Sequence, residues 1–199
     1  MIPPNLNLVV KFFIMAESLI WSAWNLSAPI FAVFVTNRIT GGSVQIAATM
    51  ISVYLFVRVV LELLSSSFLS MRSLKTQVSS IVVGILLLSL AYVGFAFSKS
   101  VFELYLGWVL AGIGMGISAP IKGAIFSKHL DGKKEALEWG IHDAVILGSM
   151  AVAAAVGGTI ASNLGFRVLF ILASIVNLLG IFPYFVMYRK IRYGHWKIA

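Results

Sequence analysis

Six apolar segments divide this chain, at about residues 9–35, 44–71, 78–98, 101–126, 139–162 and 166–188, and each is long enough to cross a bilayer. The breaks between them carry turn formers or charge: Thr40-Gly41-Gly42-Ser43, Met71 to Gln77, Ser98-Lys99-Ser100, Ser127 to Glu138, and Asn163-Leu164-Gly165. Six helices of about 22 residues take up about two thirds of the sequence, and the loops leave no room for a soluble catalytic domain. Composition agrees. Hydrophobic residues make up 60% of the chain and charged residues 11%, against roughly 45–50% and roughly 25% in a soluble domain, and one water-soluble core of this size cannot hide so much apolar surface. The expected fold is an all-α integral membrane protein, one six-helix transmembrane domain over residues 1–199. The start, Met1-Ile2-Pro3-Pro4, lacks the basic stretch of a cleavable signal, so the first segment is expected to be a permanent span.

The net charge of +8 reads as membrane topology. A nucleic-acid partner needs a basic face on a water-exposed fold, whereas here the basic residues sit in short loops. One side of the membrane receives Lys11, Arg72, Lys75, Lys128, Lys133, Lys134, Arg189, Lys190, Arg192 and Lys197, and the other only Arg38, Lys99 and Arg167. Both termini are therefore expected to be cytoplasmic, in a bacterial-type inner or plasma membrane. With no cysteine, disulfides, thiolate metal sites and cysteine nucleophiles are excluded.

A charge at the centre of a bilayer helix costs about 2.5–3.5 kcal/mol on insertion scales, so each one calls for a reason. Glu17 lies in the first span, Arg58 and Glu62 in the second, Lys122 in the fourth, and His142 and Asp143 at the start of the fifth. The third and sixth spans carry no charge from Val78 to Ser98 and from Val168 to Tyr188. Four helices are thus expected to surround something polar, while two face lipid. Helical spacing puts Glu17, Trp21, Trp24, Asn25 and Ala28 on one face of the first span. It likewise groups Tyr54, Arg58, Glu62 and Ser65 on the second, and Trp108, Met115, Ala119, Lys122 and Phe126 on the fourth. On the fifth, Glu135, Trp139, His142, Ile146 and Ala153 align, with Asp143 at the margin. Opposite them runs a small-residue face, Gly140, Ala144, Gly148, Ala151, Ala155 and Gly158, of the kind that lets helix backbones approach closely.

Plainer readings compete at each position. Arg58 and Glu62, four apart, can neutralise each other in a structural pair. Lys122 and Asp143 lie near the cytoplasmic ends, where snorkelling or a loop-level ion pair competes with substrate contact. Trp196 fits a membrane-interface anchor, and His129 and His195 fit solvated loops. Asn177, alone in the sixth span, fits an interhelical hydrogen-bond donor. Trp21 and Trp24 sit too deep for an interfacial role and share the face of Glu17, so they are expected to line a cavity. Gly112-Ile-Gly114-Met-Gly116 lies inside an apolar span with no preceding strand, so helix packing accounts for it better than a dinucleotide site. No metal-ligand spacing or catalytic triad emerges, and neither a cofactor nor an enzyme activity is expected.

From the fourth span onward the sequence resembles a major facilitator superfamily transporter. Gly112-Ile-Gly114-Met-Gly116-Ile-Ser-Ala-Pro120 is similar to the family's glycine-rich fourth helix ending in proline. Gly157-Gly158, followed by Gly165-Phe166-Arg167-Val-Leu-Phe170, resembles its G-W-R-x-x-F junction between the fifth and sixth helices. Other motifs depart from the pattern. In Ser67-Phe-Leu69-Ser-Met71-Arg72-Ser-Leu74-Lys75-Thr76, Met71 stands where the family's loop has aspartate, and Trp108 stands where many members carry an arginine linked to proton transfer. Ala153 and Ala154 replace the glycine and proline of the antiporter signature, which argues against proton antiport.

The resemblance implies one six-helix half of a twelve-helix fold, with two halves arranged as parallel repeats. Two copies inserted in the same orientation reproduce that arrangement, so a parallel homodimer is expected, with a solute site on its axis. The resemblance further implies that the first and fourth helices line the cavity, the second and fifth form the moving interface, and the third and sixth face outward. The expected activity is alternating-access transport of a small polar, sugar-like solute by symport or uniport. The candidate solute-binding residues are Glu17, Trp21, Trp24, Asn25, Tyr54, Arg58, Glu62, Trp108, Lys122, Trp139, His142 and Asp143. Glu17, the only acid on the first helix, is the candidate carrier of a coupled proton. Two alternatives stand beside this: efflux of hydrophobic cations, with Glu17 as the attracting charge and tryptophans as cation–π partners, or a non-transporting half that needs a different partner chain.

Overall fold

The structure is a computed structural model that describes residues 6–193; Trp196, His195 and Lys197 lie outside the described residues. Helix starts follow from capping chemistry. Asn7 accepts the Val9 N–H at 2.9 Å and opens α1 (Leu8–Ser27), while Ser43 accepts Ile46 N–H at 3.2 Å and opens α3 (Val44–Leu69). Ser73 does the same for α4 (Leu74–Phe97). Ser100 and Glu103 form a reciprocal capping box at the start of α5 (Val101–Lys128). Gly165, at φ +85°, separates α6 (Glu135–Leu164) from α7 (Phe166–Leu179), and its N–H closes onto the Ile160 carbonyl at 3.1 Å.

Six helical stretches are long and apolar enough to cross a membrane: Leu8–Arg38, Val44–Leu69, Leu74–Phe97, Val101–Lys128, Glu135–Leu164 and Phe166–Tyr193. They are numbered below as the first to sixth spans. Most run beyond the sequence-derived limits, because polar end turns, such as Leu74-Lys75-Thr76-Gln77 at a start and Arg189-Lys190-Ile191-Arg192 at an end, are helical without being apolar. Two spans are also broken. Pro29 interrupts the first with a 3₁₀ turn at Ala28–Ile30 before α2 (Phe31–Arg38), and a break at Gly180 separates α7 from α8 (Ile181–Tyr193).

The second span packs on the fourth and the fourth on the third, while the first packs on the fifth and sixth and the third on the sixth. Close approach needs glycine in these seams. A Cβ on Gly114 would run into the Gly84 carbonyl of the third span, and one on Gly116 into Leu61 and the Arg58 carbonyl of the second. The fourth-span glycines are therefore packing residues. The third and sixth spans are joined by buried hydrogen bonds: Asn177 donates to the Ile85 carbonyl at 2.9 Å and to Ser89 Oγ at 2.7 Å, and Ser174 donates to the Ser89 carbonyl at 3.0 Å. Asn177 is the interhelical donor that its isolation in an apolar span implies.

Coverage is uneven. Only 17% of the core stretch of the second span, and of the fifth, is buried, against 39% to 56% in the other four. Gly140, Gly148 and Gly158 have nothing within 4 Å of where a Cβ would stand, so the small-residue face of the fifth span meets no neighbour within the described chain. Gly157, on another side of that helix, is pressed against the Leu26 carbonyl of the first span.

Candidate functional site

Four spans bring their polar side chains to one cavity of about 220 Å³, whose lining includes Glu17, Trp21, Arg58, Lys122, Trp139 and His142. Its buried floor is an ion pair. Lys122 Nζ lies 3.1 Å from Glu17 Oε1 and 3.3 Å from Oε2, with the two side chains 5% and 8% exposed. These residues are 105 positions apart in sequence, and the packing of the first span beside the fourth joins them. Lys122 neither snorkels nor pairs at loop level, because a carboxylate is available deeper in the bundle. Tyr184, from the sixth span, completes the group by donating to Glu17 Oε1 at 2.6 Å.

A second pair borders the cavity. Arg58 Nε donates to Glu62 Oε1 at 2.6 Å, and Arg58 Nη1 to the Tyr54 hydroxyl at 3.3 Å. One helical turn of spacing is enough to build it. Opposite stands an aromatic wall. Phe126 packs against Phe13, Trp139 and His142 at centroid distances of 4.6, 4.7 and 4.9 Å. The wall continues into an adjoining cavity of about 360 Å³, where Trp21 and His142 are joined by Asp143. His142 Nδ1 lies 2.9 Å from Asp143 Oδ1, at the exposed edge of the site.

Other sequence-derived candidates fall elsewhere. Trp24 sits in an aromatic layer with Tyr54 and Trp108, at 5.1 and 5.6 Å between ring centroids, and Trp108 is 5% exposed. That layer packs against the Arg58 pair and does not line the cavity. The Asn25 amide turns back onto the Trp21 carbonyl of its own helix at 3.0 Å. Residues also enter that periodicity did not single out. Tyr184 and Phe13 reach the site, so the sixth span does more than face lipid. A buried tyrosine hydroxyl seeks a polar partner, which is the signal Tyr184 carries in an otherwise uncharged segment. Glu138, fully buried, accepts the Asp131 N–H at 2.9 Å and ties the loop after the fourth span to the fifth. Among the described residues, no group of three or more His, Asp or Glu is placed to hold a metal ion.

The arrangement is a cavity with compensated charge and aromatic walls, suited to binding and not to covalent chemistry. The family model described as Major Facilitator Superfamily matches residues 13–196. No curated protein matches the chain. Among solved structures, the in meso crystal structure of the POT family transporter PepTSo superposes with a TM-score of 0.81 at 15% identity, over 98% of this chain and 40% of that one. The chain thus spans less than half the length of the transporter it matches, and the likeness is one of fold.

Proposed function

Because this chain belongs to the Major Facilitator Superfamily, a family of membrane transporters and not of enzymes, we propose that it carries a small polar, sugar-like solute across the membrane by alternating access. The observation that carries the reading is the closed pairing of charge around the cavity. Glu17 is matched by Lys122 and Arg58 by Glu62, so the site presents dipoles and hydrogen-bonding groups with little uncompensated charge. Trp21 and Trp139 add flat apolar surface. A solute with hydroxyls on its edge and an apolar ring face suits such walls. Efflux of hydrophobic cations is disfavoured, because its attracting charge, Glu17, already has a cation at 3.1 Å.

The cavity is smaller than the roughly 300–1,000 Å³ of ordinary small-molecule sites, which supports a shared site. The second and fifth spans are the least covered, and we assign their open faces to a second copy of the chain, inserted in parallel with both termini in the cytoplasm. This supplies the two halves of the family's arrangement, in a bacterial-type plasma membrane. Reconstituting the purified chain alone in liposomes tests the reading. Saturable uptake of a labelled sugar supports it. Uptake of a labelled hydrophobic cation alone points to the efflux alternative, and silence with every solute points to a half that needs a different partner. Crosslinking in membranes tests the assembly, and a species of monomer mass only, or antiparallel insertion, excludes the homodimer.

A further inference from the structure

The last helix has two unlike faces. Its inner face buries Pro183, Tyr184 and Met187, and holds Tyr184 against Glu17. Its outer face carries a groove of about 540 Å³ lined by Phe182, Phe185, Val186, Arg189, Lys190 and Tyr193. Phe182 and Phe185 are 68% and 54% exposed, so the groove's upper walls are aromatic rings turned away from the bundle. Cations stand at its end. The Arg189 guanidinium lies 5.9 Å from the Phe185 ring centroid. Among the described residues, the ion pairs are Arg58 with Glu62, Lys122 with Glu17 and His142 with Asp143, so neither Arg189 nor Lys190 has a carboxylate partner. No acid occurs anywhere in Ile181–Tyr193. Arg192 is engaged differently, donating to the Tyr188 hydroxyl at 2.8 Å.

Apolar walls alone call for nothing beyond ordinary acyl chains. Two uncompensated cations at the end of the same groove add a requirement for negative charge within reach of an apolar tail. We propose that this groove binds one anionic phospholipid, with its phosphate on Arg189 and Lys190 and an acyl chain along Phe182, Phe185 and Val186. The guanidinium fork matches phosphate oxygens, and the ammonium adds a point charge beside it. A zwitterionic lipid brings no net charge, and free phosphate leaves the aromatic walls empty. The site shares no lining residue with the solute cavity, so its occupancy stands apart from what the bundle carries.

Native mass spectrometry of the purified full chain, in micelles doped with equal mole fractions of phosphatidylglycerol or phosphatidylcholine, tests the assignment. One phosphatidylglycerol should be retained in preference to phosphatidylcholine. The double variant Arg189→Gln/Lys190→Gln should weaken that retention by about thirtyfold, as expected for two cations each worth about 1 kcal/mol at an anionic surface. Arg189→Lys should keep most of it, and Lys133→Gln/Lys134→Gln, which removes loop cations outside the groove, should leave it unchanged. Equal retention of both lipids overturns the proposal, as does unchanged retention in the groove variant or equal loss in the loop variant. Displacement of phosphatidylglycerol by millimolar inorganic phosphate would make this a free-phosphate site and overturn the lipid assignment. Thermal unfolding of each variant separates lost binding from lost folding.

Discussion

Tyr184 donates a 2.6 Å hydrogen bond to the same Glu17 oxygen, Oε1, that lies 3.1 Å from Lys122 Nζ. Three spans therefore meet at one carboxylate. Removing the donor alone, in Tyr184→Phe, keeps the ring packing but leaves the carboxylate less satisfied. A hydrogen bond to a charged group is worth about 1.5–3 kcal/mol, so unfolding in detergent should show a loss of that order. An unchanged unfolding midpoint would mean that the hydroxyl contributes nothing to the carboxylate's stability.

The ion pair itself makes a sharper test. Breaking a buried pair by removing one partner costs about 3–5 kcal/mol, because the other charge is left uncompensated. Lys122→Met should therefore be among the most destabilising substitutions in the fourth span. Combining it with Glu17→Gln should recover part of the loss, since no lone charge remains. A double variant as unstable as the sum of the singles would show that the two residues do not act as a pair.

Much of the fold was legible because hydrophobic length is a local property of a sequence, and the six spans follow from it. The positions of Glu17, Arg58 and Lys122 within their spans followed from helical spacing, as did the Arg58–Glu62 pair, whose members are one turn apart. What spacing along one helix cannot supply is the rotation of helices against each other. That rotation sends Trp24 and Trp108 into an aromatic layer, turns Asn25 back on its own backbone, and brings Tyr184 in from a span without charge. It also decides which glycines are close-packed and which are open, since Gly157 meets Leu26 of the first span while Gly148, on the opposite side of the same helix, meets nothing.

That difference gives a paired prediction for the fifth span. A Cβ at Gly157 collides with the Leu26 carbonyl, so Gly157→Ala should destabilise the chain itself by about 1–3 kcal/mol. Gly148 faces open space, so Gly148→Leu should fold and insert normally. If that face packs on a second copy, the same substitution should abolish crosslinked dimer and solute uptake together. Wild-type uptake in Gly148→Leu would show that the face looks to lipid.

Trp21 lines both adjoining cavities, so its role in binding separates from its role in folding. Removing one stacking surface costs about 0.5–1.5 kcal/mol of interaction beyond area burial. Trp21→Ala should raise KM for the transported solute by about two- to twelvefold, with little change in the unfolding midpoint. An unchanged KM would remove Trp21 from the site.

The remaining prediction concerns coupling. We propose that Glu17 carries the coupled proton, and that a solute offering Lys122 an acceptor replaces the carboxylate as its partner. On this account an imposed pH gradient drives concentrative uptake in the wild type. Glu17→Gln keeps hydrogen-bonding capacity without the ionisable group, so it should lose accumulation while still permitting exchange of solute across the membrane. Lys122→Gln should behave similarly, since the competitor for the carboxylate is gone. Uptake into liposomes, measured with and without the gradient, reads both variants directly. If the wild type never accumulates solute above equilibrium in either direction, Glu17 carries no coupled proton and serves only to bind.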